Sequence, residues 1–242
     1  METKQLIIHS EVKDIGLSGI YLTVENISNK ETDAEFEEYR KKIVQQAYNY
    51  TKQITDIKED QLIKGFRQLH DAVGAPNRKN LSAPENLYKL LAKKGDIPRI
   101  NLLVDIYNTI SIKYKLALGA HDWDRIDGNV HLRFTTGTEK FIPMGELETK
   151  HIRAGEYSYI DESNEIICYL DVRQIDKTKV TLDTKDIFIV VQGNANTAFP
   201  YIENAVYELL FLIKRYCGGE AKVVGQIEDF FLRLSNLECS IK

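Results

Sequence analysis

Polar side chains of four kinds gather at a few points in a chain that is otherwise apolar or small around them. Asp105 and Asn108 fall i, i+3 on a stretch with helical apolar spacing, so a carboxylate and an amide share one face. Gly119-Ala120-His121-Asp122 reads as a small-residue turn that sets an imidazole beside a carboxylate. Arg133 belongs to the polar face of the strand that follows. Asp171, Arg173, Gln174, Asp176 and Thr178 end a buried strand with alternating polar side chains. Brought together, these groups provide an acid, a base, a cation and amide donors. Such a set could bind a zwitterionic amino acid or position a water for attack on an ester. Each also has a local explanation. Asp105 could pair with a neighbour, His121 could be a turn feature, and Arg173 with Asp176 could form an ion pair at a sheet edge, where such pairs are worth little.

The patterns of other chemistries are missing. The chain has no GxxxxGK[ST], GxGxxG, GxSxG or HExxH. Asp122-Trp-Asp-Arg-Ile-Asp-Gly128 begins like a calcium loop, but its third acidic residue comes one position late. Its twelfth position is Arg133, where a bidentate Glu is needed. Cys168, Cys217 and Cys239 are odd in number and form no CxxC pair, so neither a disulfide framework nor a structural zinc is expected. No metal and no cofactor is expected.

The elements that must carry these groups follow from apolar spacing. Ile20, Leu22 and Val24 alternate as in a strand. Helices are predicted from Asp33 to about Thr55, from Lys58 to Val73 with a stop at Gly74, and from Ser82, in a capping-box spacing with Glu85, to Lys94. Ile100 to Lys115 is a fourth. The period then changes to two: Val130, Leu132 and Phe134 alternate with polar residues, and Tyr157–Ile160, Ile166–Val172 and Ile187–Gln192 are further strands. The run Ile187-Phe-Ile-Val-Val191 is apolar throughout and should be covered on both faces. Phe199–Tyr216 returns to helix, and a last helix is predicted over Val223–Leu234. The class is α/β, α+β-like, with a mixed sheet in the second half wrapped by helices from both ends. One domain is expected over 1–242: a helical flank with a leading strand (1–97), a core (98–192) and C-terminal helices (193–242).

Composition narrows the class further. With 43% hydrophobic residues and 28% charged ones, the chain has enough apolar material for a core and is not disordered. A formal net charge of -4 lacks the basic balance that advertises phosphate binding, and no DNA partner is expected. METKQLIIHSEVKD lacks the apolar core of a signal peptide, and no stretch approaches the ~18 apolar residues of a membrane span. A cytoplasmic protein without membrane contact is expected.

One stretch does more than suggest a class. PRINLLVDIYNTISIKYKLALGAHDWDRIDGNVHLRF, residues 98–134, resembles the B3/4 editing domain of the phenylalanyl-tRNA synthetase beta subunit. The matching positions are Val104, Asp105, Asn108, His121, Asp122, Asp124, Gly128 and Arg133. Gly155-Glu156 to Asp161, then VRQIDKTKVTLDTKDIFIV, resembles the second half of that domain. FRQLHDAVGAPNRKNLSAPENLYKLL is similar to the flank of its free-standing relatives. This chain departs from the synthetase pattern in three places. Tyr107 precedes the Asn where Thr is usual, Gly119 stands where the pocket His falls, and Arg173 to Asp176 replaces a Gly-Gly-Glu segment.

The resemblance implies the editing-domain fold and hydrolysis of an aminoacyl ester on tRNA by a positioned water, in the service of translation fidelity. By it, Asp105 and Asn108 would orient the amino acid or water. His121, helped by Asp122, would be the base or a ribose contact, and Arg173 and Asp176 would engage the polar ends of the amino acid or polarise the ester. Gly119, Arg133 and Gln174 would complete the binding wall. The implied partners are the 3′ end of an aminoacyl-tRNA, hence RNA binding, or a free amino acid. A non-catalytic module for an amino acid, nucleoside or tRNA end is the alternative, and hydrolysis of an unrelated small ester or amide a third. Aminoacylation itself would need an ATP-binding domain whose motifs are missing.

Overall fold

The computed structural model describes residues 4–228. Its strands and helices, in chain order, are β1 (Leu6–Ile8), β2 (Leu17–Ile27), α1 (Ala34–Thr51), α2 (Gln61–Ala72), α3 (Ala83–Lys94), α4 (Leu102–Tyr114), β3 (Ala117–Asp122), β4 (Val130–Phe134), β5 (Tyr157–Ile160), β6 (Ile166–Tyr169), β7 (Arg173–Gln174), β8 (Ile187–Asn194), α5 (Phe199–Tyr216) and β9 (Gly218–Ile227).

Local chemistry sets where the helices start: α1 directly after Asp33, as expected, but α2 at Gln61 and α4 at Leu102, three and two residues later than expected. Asp33 caps α1 by accepting from the backbone N–H groups of Glu35 and Phe36 at 3.0 and 3.1 Å. Asp60 caps α2 in the same way, at 2.9 Å from Leu62 N. The capping box predicted at Ser82 does not form: among the described residues the Ser82 hydroxyl has no partner, and Glu85 is taken by Arg67 and Lys89. Two cations at this buried carboxylate offer it more than a backbone N–H does.

The strands form two sheets. Five are ordered β1-β4-β5-β6-β7 and four are ordered β3-β8-β2-β9. The β1–β4 pair is parallel and the other pairings are antiparallel. The mixed α/β class stands, but the sheet is not confined to the second half. Each sheet takes one strand from the N-terminal flank, and β2 runs between β8 and β9 in the middle of its sheet. The C-terminal helix predicted from Val223 is corrected over the described residues: Gly218–Ile227 is a strand paired with β2, and residues 229–234 of that prediction lie outside the described residues.

Alternation along the central strands explains the layers. In β8, Ile187, Ile189 and Val191 join Ile20, Leu22 and Val24 of β2 in a core shared with α4 and α5. Phe188 and Val190 point the other way, with Tyr21, into a second core against the five-stranded sheet and α2. The apolar run therefore needs cover on both faces, and receives it from helices on one side and a sheet on the other. A third cluster ties α1, α2, α3 and α4 together around Ile63, Leu91 and Ile112.

The seam between α2 and β8 depends on a missing side chain. A Cβ on Gly65 would stand 1.9 Å from Asn194 Oδ1. Asn194 is fully buried and donates to Leu62 O at 2.9 Å, tying the end of β8 to the first turn of α2. Alanine is favoured over glycine in a helix by about 1 kcal/mol. Here Gly65→Ala is expected to destabilise by about 1–3 kcal/mol, because the amide must move and give up its bonds. Urea midpoints would show this, and Asn194→Ala in the same background should recover part of the loss.

Candidate functional site

A cavity of about 200 Å³ opens between the two sheets. One wall comes from β3, the edge strand of the four-stranded sheet, and the other from the turn after β6 and from β7, the edge of the five-stranded sheet. In β3 the odd-numbered residues Ala117, Gly119 and His121 share one face, while Leu118 and Ala120 belong to the helical core and Leu118 also reaches the cavity edge. α4 adds Tyr107 and Asn108, β8 adds Val190 and Gln192, and Tyr159 and Cys168 come from the middle of the other sheet. The lining is mostly apolar, with polar groups at its floor and rim.

The floor is a buried hydrogen-bonded network. His70 Nε2 lies 3.0 Å from Asp171 Oδ1, and His70 Nδ1 lies 3.1 Å from the carbonyl of Asn80. A carbonyl and an ionised carboxylate both require a donor, so the ring carries protons on both nitrogens. Burial alone would pull the His70 pKa down; the Asp171 charge and hydrogen bond outweigh it and hold the value above the usual one. Asp171 Oδ2 accepts from the Tyr157 hydroxyl at 3.0 Å, and Tyr159 donates to Gln192 Oε1 at 2.8 Å. Burial keeps both phenols protonated, since their pKa values are pushed well above the ordinary one. Leu170, in the left-handed region at φ 51°, makes the turn that brings Asp171 to this floor. Cys168 also faces the cavity, but burial pushes its thiol up to about 12, which leaves it protonated and unreactive.

His121 stands in the wall with 1% of its surface exposed, and its Nδ1 is 2.8 Å from Thr178 Oγ1. Desolvation pushes its pKa down to about 4, so the ring is neutral at ordinary pH. An unfolded histidine takes up a proton near pH 6.5 and this one does not until about 4, so the ring withdraws stability as pH falls across that window. His121→Gln should therefore lose about 3 kcal/mol less than the parent between pH 7 and pH 4.5, read from urea midpoints at the two values.

The residues expected from the sequence divide in two. Asn108, Gly119, His121, Arg173 and Gln174 all line the cavity. Asp105, Asp122, Arg133 and Asp176 do not. Asp105 is held at the N-terminus of α4 by Arg99 Nε at 2.7 Å and Ile100 N at 3.0 Å. Asp122 was expected to support His121, but Gly119–Asp122 is strand rather than turn, and adjacent strand residues face opposite ways. Its carboxylate accepts from the Thr184 hydroxyl at 2.7 Å instead. Arg133 bonds Glu139 and the Phe134 carbonyl, which fixes the loop after β4. Asp176 is at the surface, accepting from Gly145 N and Lys179, each at 3.0 Å.

Sequence reasoning passed over His70, Tyr157, Tyr159 and Gln192 as site residues. Two carried a signal: His70 falls i+4 from Phe66 on the apolar face of α2, and Gln192 breaks the apolar run of β8. Among the described residues, no group of three His, Cys, Asp or Glu could hold a metal ion, and no helix is long and apolar enough to cross a membrane.

Comparison with known proteins agrees with the resemblance seen in residues 98–192. Residues 72–218 match the family described as the B3/4 domain. A phenylalanine–tRNA ligase beta subunit from Pyrococcus furiosus is 23% identical over 125 residues, which is 41% of this chain and 22% of that protein. The crystal structure of an N-terminal fragment of the phenylalanyl-tRNA synthetase beta subunit from Pyrococcus horikoshii is similar with a TM-score of 0.48 and 15% identity, over 91% of this chain and 51% of the fragment. The chain thus spans about a fifth of the length of the curated relative that it matches.

Proposed function

The chain belongs to the B3/4 domain family, and from that premise we propose that its cavity hydrolyses the ester of a mischarged aminoacyl-tRNA, acting in trans. The relative that matches in sequence is a phenylalanine–tRNA ligase beta subunit, which supports association with tRNA or an amino acid. The observation that carries the reading is the convergence of Asn108, Gly119, His121, Arg173 and Gln174 on one cavity of about 200 Å³. In this reading the apolar walls take the amino-acid side chain, and the amides of Asn108 and Gln174 hold its polar end. A water oriented by the neutral His121 ring attacks the carbonyl carbon, the bond to the ribose oxygen breaks, and the water's proton ends on that oxygen. Arg173 at the rim offers positive charge to the oxyanion. An aminoacyl ester is already activated, so placement of the water supplies most of what the reaction needs.

The test is first-order deacylation of a panel of misacylated tRNAs. At least one should be cleared well above its spontaneous rate; if none is, the reading fails. A second reading, a binding module without turnover, is favoured by one observation. Asp122 points away from His121 and Asp176 lies outside the cavity, and the His121 ring is held by the Thr178 hydroxyl instead of by a carboxylate. Thermal shifts with free amino acids, in the absence of ester turnover, would select it.

A further inference from the structure

A second cleft, of about 440 Å³, adjoins the cavity, and Val172 and Arg173 line both. Its other walls come from the turn after α2, through Lys79 and Asn80, and from the loop between β4 and β5, through Lys150, His151 and Arg153. Four permanent cations thus surround one cleft of a chain whose net charge is -4. Lys150 and Arg173 share the single carboxylate of Glu146, and Arg153 pairs with Glu156. Among the described residues Lys79 Nζ has no ion-pair or hydrogen-bond partner. The positive charge is therefore in excess. Lys150 and Arg173 are half-exposed, and pairs at such places are weak and readily exchanged for a better anion. A run of two or three backbone phosphates carries one charge each and so offers these cations more negative charge than one shared carboxylate does.

Because the two spaces meet at Arg173, we infer that the second cleft binds the backbone phosphates of a single-stranded RNA whose terminal residue lies at the mouth of the first cavity. This rests on the hydrolase reading for the direction of the strand, but its test needs no ester. A labelled single-stranded RNA octamer without an amino acid is titrated by fluorescence anisotropy from 50 to 300 mM salt, against the parent chain and Lys79→Glu/Lys150→Glu. Both replaced side chains are at the surface and outside the first cavity, and matching thermal melts would establish that the variant folds. The parent should bind with a salt slope reflecting two or three phosphates, about -0.7 for each. The variant should bind at least about tenfold more weakly, with the slope reduced by about 1 to 2.

Binding of the octamer that is absent, or unchanged in affinity and slope by the double reversal, overturns the inference. Displacement of the octamer by AMP or inorganic phosphate at concentrations near the octamer's own Kd also overturns it, because it assigns the cleft to a free phosphate. Failure of the hydrolase reading looks different: no misacylated tRNA is cleared, yet the octamer still binds and still responds to the reversal.

Discussion

Asp171→Ala is expected to lower stability at pH 7 by about 3–5 kcal/mol, because it removes one partner of a buried ion pair and leaves the other in a site built for it. The side chains of His70 and Asp171 are each 1% exposed, so water cannot take over the lost partner's role. The variant also leaves the Tyr157 hydroxyl, which donates to Asp171 at 3.0 Å, without its acceptor. His70→Ala should cost a similar amount. The double variant should cost clearly less than the two single losses together, since each single change already removes the pair. Urea unfolding of the four proteins measures this, and additivity within about 0.5 kcal/mol would mean that the two side chains do not stabilise each other.

The same pair has a pH signature. The folded pKa of His70 is raised, so its contribution is present in full below the unfolded value of about 6.5 and is lost as pH rises through the folded value. The gap between parent and Asp171→Ala should therefore narrow in alkaline solution. Protonation of His121 runs the other way, in acid, so the two histidines set opposite limbs of the stability curve.

These residues also mark where the sequence stops being readable. The span of α5, Phe199–Tyr216, follows directly from apolar spacing, and so does the burial of β8 on both faces. Local pattern determines both. The strand β9 does not follow, because Val223 and Ile227 fit a helical spacing as well as an alternating one. What decides between them is a ladder with β2, some two hundred residues earlier. The site shows the same division. Asn108, His121 and Gln174 were recognisable as residue types in an ordered motif. The partner of Asp171 was not, since it lies 101 positions away on another element and only the packed fold brings them together. His121 and Asp122 look like a catalytic pair because they are adjacent in sequence. Strand geometry separates them for the same reason.

Gly119→Val is expected to abolish ligand binding and to reduce any deacylation by at least about a hundredfold, while leaving the protein as stable as before or slightly more so. Gly119 lines the cavity from the middle of β3, and a Cβ built there meets no atom of the described residues within 4 Å. Its φ lies outside the left-handed region, so a β-branched residue can take the same backbone, and valine suits a strand better than glycine does. The added methyl groups therefore project into the open space, and in a cavity of about 200 Å³ they take room that the substrate needs. Asp176→Ala is the matched control. Asp176 lies at the surface with Gly145 and Lys179 as partners, so its loss should leave deacylation within about twofold of the parent. A large rate loss in Asp176→Ala together with full activity in Gly119→Val would move the chemistry out of this cavity. The opposite pattern, with unchanged urea midpoints for both, would tie turnover to the space between β3 and β7 and not to the overall integrity of the fold.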